Sequence, residues 1–125
     1  MKVNEKMKLY HYSNEDLTVI DPLKFGNNSH TPKDSIEPRA YYYLNKEYRE
    51  KFFLGSKYRY TVVTHSDKIY DLSTDYRGLF GLHSIDEIIN ILKRSVFIGL
   101  KFTHPCGIDI VCLFHLQKVV KKEVL

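Results

Sequence analysis

The stretch Lys8-Leu9-Tyr10-His11-Tyr12-Ser13-Asn14 is a short run of apolar and aromatic residues that stops abruptly in polar turn residues. It predicts a strand with one histidine, His11, near its end, where a rigid sheet can hold a side chain over a cleft. The alternative is an ordinary half-buried histidine, and this stretch alone favours that alternative. The segments 41–43 and 108–110 shift the balance toward a functional histidine.

The composition predicts one domain, residues 1–125, because this length fits a single hydrophobic core. The ten tyrosines and seven phenylalanines are an excess of aromatic residues. Tyrosine offers a flat apolar face and a polar tip that suit a planar ligand, but it is also a good strand residue, so the excess has a structural alternative. The net charge of +4 allows a phosphate-carrying partner without requiring one.

The two cysteines, Cys106 and Cys112, form no CxxC pair and lie near or within a late apolar strand. We expect reduced, buried thiols in a cytoplasmic protein, or in one that acts in the cytoplasm of a host or target cell. The six histidines show no paired ligand spacing, so no metal site is predicted. No apolar run has the length of a membrane span, and the first residues do not form a signal segment, so no membrane partner is expected.

Hydrophobic periodicity predicts several strands and two helices. A helix should begin at Asn45 and stop near Gly55, with Tyr48 and Phe52 on one face. A second helix should follow the capping box at 84–87 and run to about Ser95. The predicted strands are 8–12, 40–44, 58–64, 69–72, 100–103, 109–114 and a last short one at 118–120. The segment from 25 to 38 reads as a long loop, which in a small domain is usually functional or mobile.

A motif search leaves few chemical possibilities. The chain contains no GxGxxG, no GxxxxGK[ST], no GxSxG and no HExxH. What remains is a set of three strand-end residues far apart in sequence: His11, a tyrosine within 41–43, and Asp109.

The order of these segments resembles the ADP-ribosyltransferase superfamily, in particular its histidine–tyrosine–acid branch. Residues 9–13, Leu-Tyr-His-Tyr-Ser, are similar to that branch's first motif, and residues 41–45, running into a helix, are similar to its second. Residues 109–114, an acid before an apolar strand, are similar to its closing motif. Supporting similarities lie at 16–26, 60–62, 68–73 and 99–101, so the resemblance covers most of residues 8–120.

The resemblance implies that NAD is the substrate and that several residues bind it. His11 would hydrogen-bond the nicotinamide ribose and Ser13 the adenosine-side ribose, as their side chains permit. The backbone of Tyr12 would hold the nicotinamide carboxamide. Tyr42, or its neighbour Tyr43, would stack on the nicotinamide ring, and only one of the two can do so because successive strand residues point to opposite faces.

Further roles follow from the same resemblance. Tyr48, Phe52 or Phe53 would close the other side of the nicotinamide ring. Asp109 would hold the ribose 2′-hydroxyl and stabilise an oxocarbenium-like state as nicotinamide leaves. His11, Tyr42 and Asp109 are therefore the expected catalytic residues, and we expect the strands of His11 and Asp109 to be adjacent across the cleft.

The chain departs from the family pattern in three places. Tyr12 stands where the family usually has glycine, so its ring should crowd the carboxamide contact. Arg39 and Ala40 replace the glycines expected before the second motif. The family acid is most often glutamate; here the nearest acid is Asp109, and Ile110 is the alternative occupant of that place, in which case catalysis would be weakened or lost.

The sequence thus predicts an α+β domain with a split, largely antiparallel sheet and an NAD cleft. The first expected function is mono-ADP-ribosyl transfer from NAD to a macromolecular acceptor, protein or nucleic acid; by family analogy such a protein is a toxin, an effector or a phage counter-defence protein. The second is a non-catalytic NAD- or nucleotide-binding module of the same fold. The third is a small basic nucleic-acid-binding protein that uses its tyrosines for stacking.

Overall fold

A computed structural model of the chain describes most of its residues. The described ranges are 6–22, 39–46, 55–75, 78–79, 81–103 and 107–125. The predicted loop at 25–38 and the predicted helix that carries Tyr48, Phe52 and Phe53 lie outside the described residues, as does Cys106.

Strands dominate the fold. In chain order they are β1 Lys6–Ser13, β2 Val19–Ile20, β3 Ala40–Tyr43, β4 Tyr58–His65, β5 Ile69–Asp71, β6 Gly99–Thr103, β7 Asp109–Leu113, β8 Gln117–Lys118 and β9 Lys121–Val124. Seven of them form one open sheet in the order β5-β6-β7-β3-β1-β4-β9, in which only β5 and β6 run parallel. β2 and β8 form a separate antiparallel pair. The prediction of an α+β domain with a largely antiparallel sheet is confirmed.

Two predicted strands differ from the structure by more than one residue at an end. β1 begins at Lys6 rather than at 8, because it pairs with β4 at eight successive positions, from Lys6 to Ser13. Of the predicted last strand at 118–120, Lys118 does lie in a strand, at the end of β8, whereas residues 119 and 120 form the bend between β8 and β9. There the backbone N–H of Val119 donates to Thr18 and that of Val120 to Thr61, so the chain passes from the small sheet to the large one.

The described residues contain one α-helix, α1 Ile85–Lys93, and a 3₁₀ turn at Ser66–Lys68. The predicted capping box is present: the Ser84 hydroxyl accepts from the Glu87 backbone N–H at 3.2 Å, and the Glu87 carboxylate accepts from the Ser84 N–H at 2.9 Å. The helix ends two residues before Ser95, whose backbone N–H and hydroxyl both donate to the Leu92 carbonyl, at 3.1 and 3.0 Å, and so close the last turn.

Each face of the large sheet carries a buried core cluster, and the alternation of side chains separates the two clusters. The helix face packs with α1 and carries Tyr10, Tyr12, Tyr41, Tyr43, Leu100, Ile110 and Cys112. The opposite face, which we call the histidine face, carries Leu9, Ala40, Tyr42, Tyr60, Val62 and Val111 and packs against Ile20 of the small sheet. His11 belongs to it by alternation with Leu9, and its ring lies beside Tyr42.

A buried arginine ties the sheet to the helix. Arg39 immediately precedes β3, is only 1% exposed, and its guanidinium donates to the Asp86 carboxylate of α1 at 2.7 Å. On the same face burial raises the pKa of the Cys112 thiol to about 12, so this cysteine is a protonated core residue, as predicted.

The Arg39–Asp86 pair generates a stability prediction. Asp86→Asn should lower the free energy of unfolding by about 2 kcal/mol, because it removes a negative charge 2.7 Å from a buried guanidinium while Asp86 itself is partly solvated. Glu87→Gln is the matched control, since it removes an acid from the same helix turn but keeps the capping oxygen. Urea denaturation of both variants measures the difference. Equal losses in the free energy of unfolding would mean that the Asp86 charge stabilises the protein through the helix dipole and not through Arg39.

Candidate functional site

The three strands that carry the predicted motifs lie side by side. β3 stands between β1 and β7, so His11, Tyr42 and Asp109 come from three consecutive strands. Tyr42 packs with Val111 on the histidine face, and Asp109 is two residues from Val111 on the same strand. By alternation, the side chains of all three predicted catalytic residues therefore share one face of the sheet.

The sheet splits between β1 and β3. One residue pair, Tyr10 with Tyr43, joins these two strands among the described residues, whereas β1 pairs with β4 at eight positions. Beyond that pair the described residues of β1 and β3 make no further ladder pair, and His11, which follows Tyr10 on β1, lies next to the end of the ladder.

His11 bridges the split. Its Nδ1 lies 2.8 Å from the Tyr41 carbonyl oxygen. Because a carbonyl only accepts, Nδ1 is assigned the proton, and in the neutral ring Nε2 is then an acceptor. Burial lowers the pKa of His11 below its ordinary value, although the bond to Tyr41 opposes this, so the imidazole is neutral at pH 7.

Tyr42 is a buried ring beside His11 and has no exposed face. Its side chain is 0% exposed, and its ring centroid lies 5.5 Å from that of His11 at an angle of 49°. Its hydroxyl is buried and finds no hydrogen-bond partner among the described residues. A buried hydroxyl without a partner costs about 1–3 kcal/mol, and burial also raises the pKa of this phenol.

Tyr43 and Tyr12 lie on the helix face. Their ring centroids are 6.2 Å apart, and the Tyr12 hydroxyl donates to the Lys46 carbonyl at 3.2 Å. Burial, with the neighbouring tyrosines, raises the pKa of Tyr43 to about 12. Tyr43, the alternative stacking residue, thus points away from His11, and the Tyr12 ring that we expected to crowd the carboxamide contact lies on the other face.

The hydroxyls of Ser13 and Tyr60 stabilise the turn that follows His11, and the sequence did not single out Tyr60. The Ser13 hydroxyl accepts from the Glu15 backbone N–H at 3.1 Å, so this predicted ribose ligand already caps a turn. The Tyr60 hydroxyl donates to the Glu15 carbonyl and accepts from the Leu17 N–H at 2.8 Å. The position of Tyr60 opposite His11 on β4 follows from strand register, which the sequence alone does not give.

Asp109 begins β7 and pairs with a second residue that the sequence did not indicate. The Thr103 hydroxyl donates to its carboxylate at 2.8 Å across the β6–β7 ladder. Ile110, the alternative occupant of the acid position, packs on the helix face. The expectation that the strands of His11 and Asp109 are neighbours is wrong: β3 separates them, and the normal strand spacing puts their backbones at least about 10 Å apart.

The described residues contain no group of three or more histidine, cysteine, aspartate or glutamate side chains that could hold a metal ion. In that part of the chain no helix combines the length and apolarity needed to cross a membrane.

No protein-family model matches the chain, and it matches no curated protein and no solved structure. The likeness to the ADP-ribosyltransferase superfamily therefore stays a prediction from the motifs of this sequence.

The lowered pKa of His11 predicts how stability depends on pH. Between that pKa and the ordinary 6.5, the unfolded chain binds a proton that the native protein does not. The free energy of unfolding should therefore rise with pH through this window, reach its full value above 6.5, and fall as the pH drops. In urea denaturation over a pH series, His11→Gln should lose this dependence and the exposed His83→Gln should keep it. A slope unchanged in His11→Gln would contradict the assignment of a neutral buried imidazole.

Removal of the Tyr42 hydroxyl should not lower the free energy of unfolding. Tyr42→Phe should leave the free energy of unfolding unchanged or raise it by about 1 kcal/mol, because no hydrogen bond to a described residue is lost. Tyr60→Phe is the matched control: it removes a hydroxyl with two partners and should cost about 1–3 kcal/mol. Chemical denaturation compares them, and an equal loss in both would show that the Tyr42 hydroxyl has a partner in the native protein.

Proposed function

We propose that this chain is a mono-ADP-ribosyltransferase that moves ADP-ribose from NAD to a macromolecular acceptor. The observation that carries the proposal is the placement of His11, Tyr42 and Asp109 on one face of three consecutive strands. The motif order alone does not require this, since an odd shift in register would send one of the three side chains to the other face.

The residues of this face have chemistry that suits the nicotinamide riboside part of NAD. The Nε2 of His11, as the acceptor nitrogen, matches a ribose hydroxyl donor. Tyr42 packs beside this imidazole with its whole side chain buried, so we assign it the role of holding the His11 ring in place rather than the stacking role that the resemblance implies.

In the proposed reaction the bond between ribose C1′ and the nicotinamide nitrogen breaks, and its electron pair leaves with nicotinamide. Positive charge develops at C1′ and the ring oxygen, and the Asp109 carboxylate stabilises it. The acceptor nucleophile then forms a bond to C1′ and releases its proton. The Thr103 hydroxyl orients the carboxylate through its 2.8 Å hydrogen bond.

One observation favours a second candidate, a non-catalytic NAD-binding module. Asp109 lies two strands from His11, and aspartate is one methylene shorter than the glutamate usual in the family. Such a carboxylate reaches the ribose only if the nucleotide spans β3. Nicotinamide release separates the two candidates, because a binding module retains NAD without cleaving it.

The direct test uses NAD labelled in its adenylate part. The protein is incubated with labelled NAD and a cell lysate, and both free nicotinamide and labelled macromolecules are measured. A transferase yields both products in proportion. Binding of NAD without either product would favour the module, and absence of NAD binding would remove both candidates.

The role given to Asp109 predicts a selective loss of rate. Asp109→Asn should slow nicotinamide release by about a hundredfold while NAD affinity stays nearly unchanged, because the charge acts on the transition state. Asp67→Asn, an exposed acid in the 3₁₀ turn, is the matched control and should release nicotinamide at the wild-type rate. Turnover by Asp109→Asn at the wild-type rate would remove Asp109 from the mechanism.

A further inference from the structure

The half of the helix face formed by β1, β4 and β9 carries a concentration of cationic side chains. Strand register and alternation place them on one side of the sheet, in rows that cross the three strands. We call this surface the lysine face; its residues are Lys6, Lys8, Tyr10, Lys46, Arg59 and Lys121.

The lysines of this surface are exposed to solvent. Lys6, Lys8 and Lys121 are exposed and make no ion pair with any carboxylate that the structure describes. The carboxylate of Glu123 also lies on the lysine face. It accepts two hydrogen bonds from Arg59, at 2.6 and 3.1 Å, so its charge is already compensated.

The charge of the protein is distributed unevenly. The lysine face holds five cations and one carboxylate, a net +4, which equals the net charge of the whole chain. The rest of the chain is therefore neutral in sum. An anionic partner would be steered toward this side of the molecule.

An aromatic ring among these cations indicates which class of anionic partner the lysine face binds. Tyr10 is only half-buried, and the Lys46 ammonium, itself 45% exposed, lies 5.4 Å from the centre of its ring. Lys8 is two residues from Tyr10 on the same strand, about 7 Å away. A phosphate contact beside a stacking surface is the arrangement by which proteins bind single-stranded nucleic acid.

We infer that the lysine face binds single-stranded nucleic acid, with its lysines on the phosphates and a base against Tyr10. The inference does not rest on the proposed transferase activity, since the lysine face and the histidine face lie on opposite sides of the sheet. NAD should therefore leave oligonucleotide binding unchanged.

The test measures the fluorescence anisotropy of a labelled single-stranded oligonucleotide of mixed sequence over a range of salt concentrations. The triple variant Lys6→Gln/Lys8→Gln/Lys121→Gln should bind at least tenfold more weakly at low salt, and the slope of log affinity against log salt should flatten by about two, at about 0.7 per phosphate contact. The matched control, Lys68→Gln/Arg94→Gln/Lys118→Gln, removes the same charge from exposed positions elsewhere and should retain most of the affinity.

Tyr10→Leu tests the stacking contact separately. It should weaken binding by about tenfold without changing the salt slope, because no cation is removed. Circular dichroism of each variant confirms that it is folded, and the exposed lysine variants keep the test valid if Tyr10→Leu does not fold.

Three results would overturn the inference. The first is an absence of oligonucleotide binding by the wild-type protein at low salt. The second is an equal loss in the two triple variants, which would assign binding to net charge alone. The third is equal or tighter binding of polyglutamate or of phosphatidylserine vesicles, which would assign the lysine face to an acidic protein or a membrane surface.

Discussion

The bond from His11 Nδ1 to the Tyr41 carbonyl, 2.8 Å long, is the contact on which the central part of the structure depends. β1 and β3 share one ladder pair, and beyond it the imidazole supplies the link that a backbone N–H would otherwise make. A protonated ring could still donate, but burial disfavours its charge, so the bridge favours the neutral state. The same bond orients Nε2. The contact that links β1 to β3 therefore also determines which imidazole nitrogen can accept a hydrogen bond on the histidine face.

The alternation of side chains along β1 gives the sheet two chemically different sides. Even-numbered residues of this strand, among them Lys8 and Tyr10, face the side of α1, and odd-numbered residues, among them His11, face the small sheet. A shift of one residue in register would exchange these sets, so register is fixed by both cores at once. The histidine face carries the buried side chains of Leu9, His11 and Tyr42, whereas the lysine face is exposed and cationic. The two faces therefore suit different ligands, and we assign them independently.

Local sequence signals predicted the elements better than their arrangement. The capping box before α1 and the periodicity of its apolar residues fixed that helix to within two residues, because both signals act within one turn or two. Strand order, by contrast, is set by contacts between distant segments, and no local pattern places β3 between β1 and β7. The neighbours expected for His11 and Asp109 were wrong for this reason.

Side-chain burial in the site was equally hard to predict. A tyrosine-rich strand is compatible with a stacking surface or with a packed core, and only the tertiary structure gives 0% exposure for Tyr42. The Thr103–Asp109 bond depends on the register of a hairpin whose turn sequence does not specify it. The predicted catalytic set nevertheless falls on one face, because the alternation rule holds within each strand once the register between strands is known.

A titration of NAD into ¹⁵N-labelled protein, followed by NMR, is the sharpest test of whether the histidine face binds NAD. We expect the His11 imidazole nitrogens and the amides of residues 9–13, 40–43 and 109–111 to shift with one common affinity, while those of Lys121 and its β9 neighbours do not. If NAD shifts none of these signals, or only those of the lysine face, NAD does not bind the histidine face.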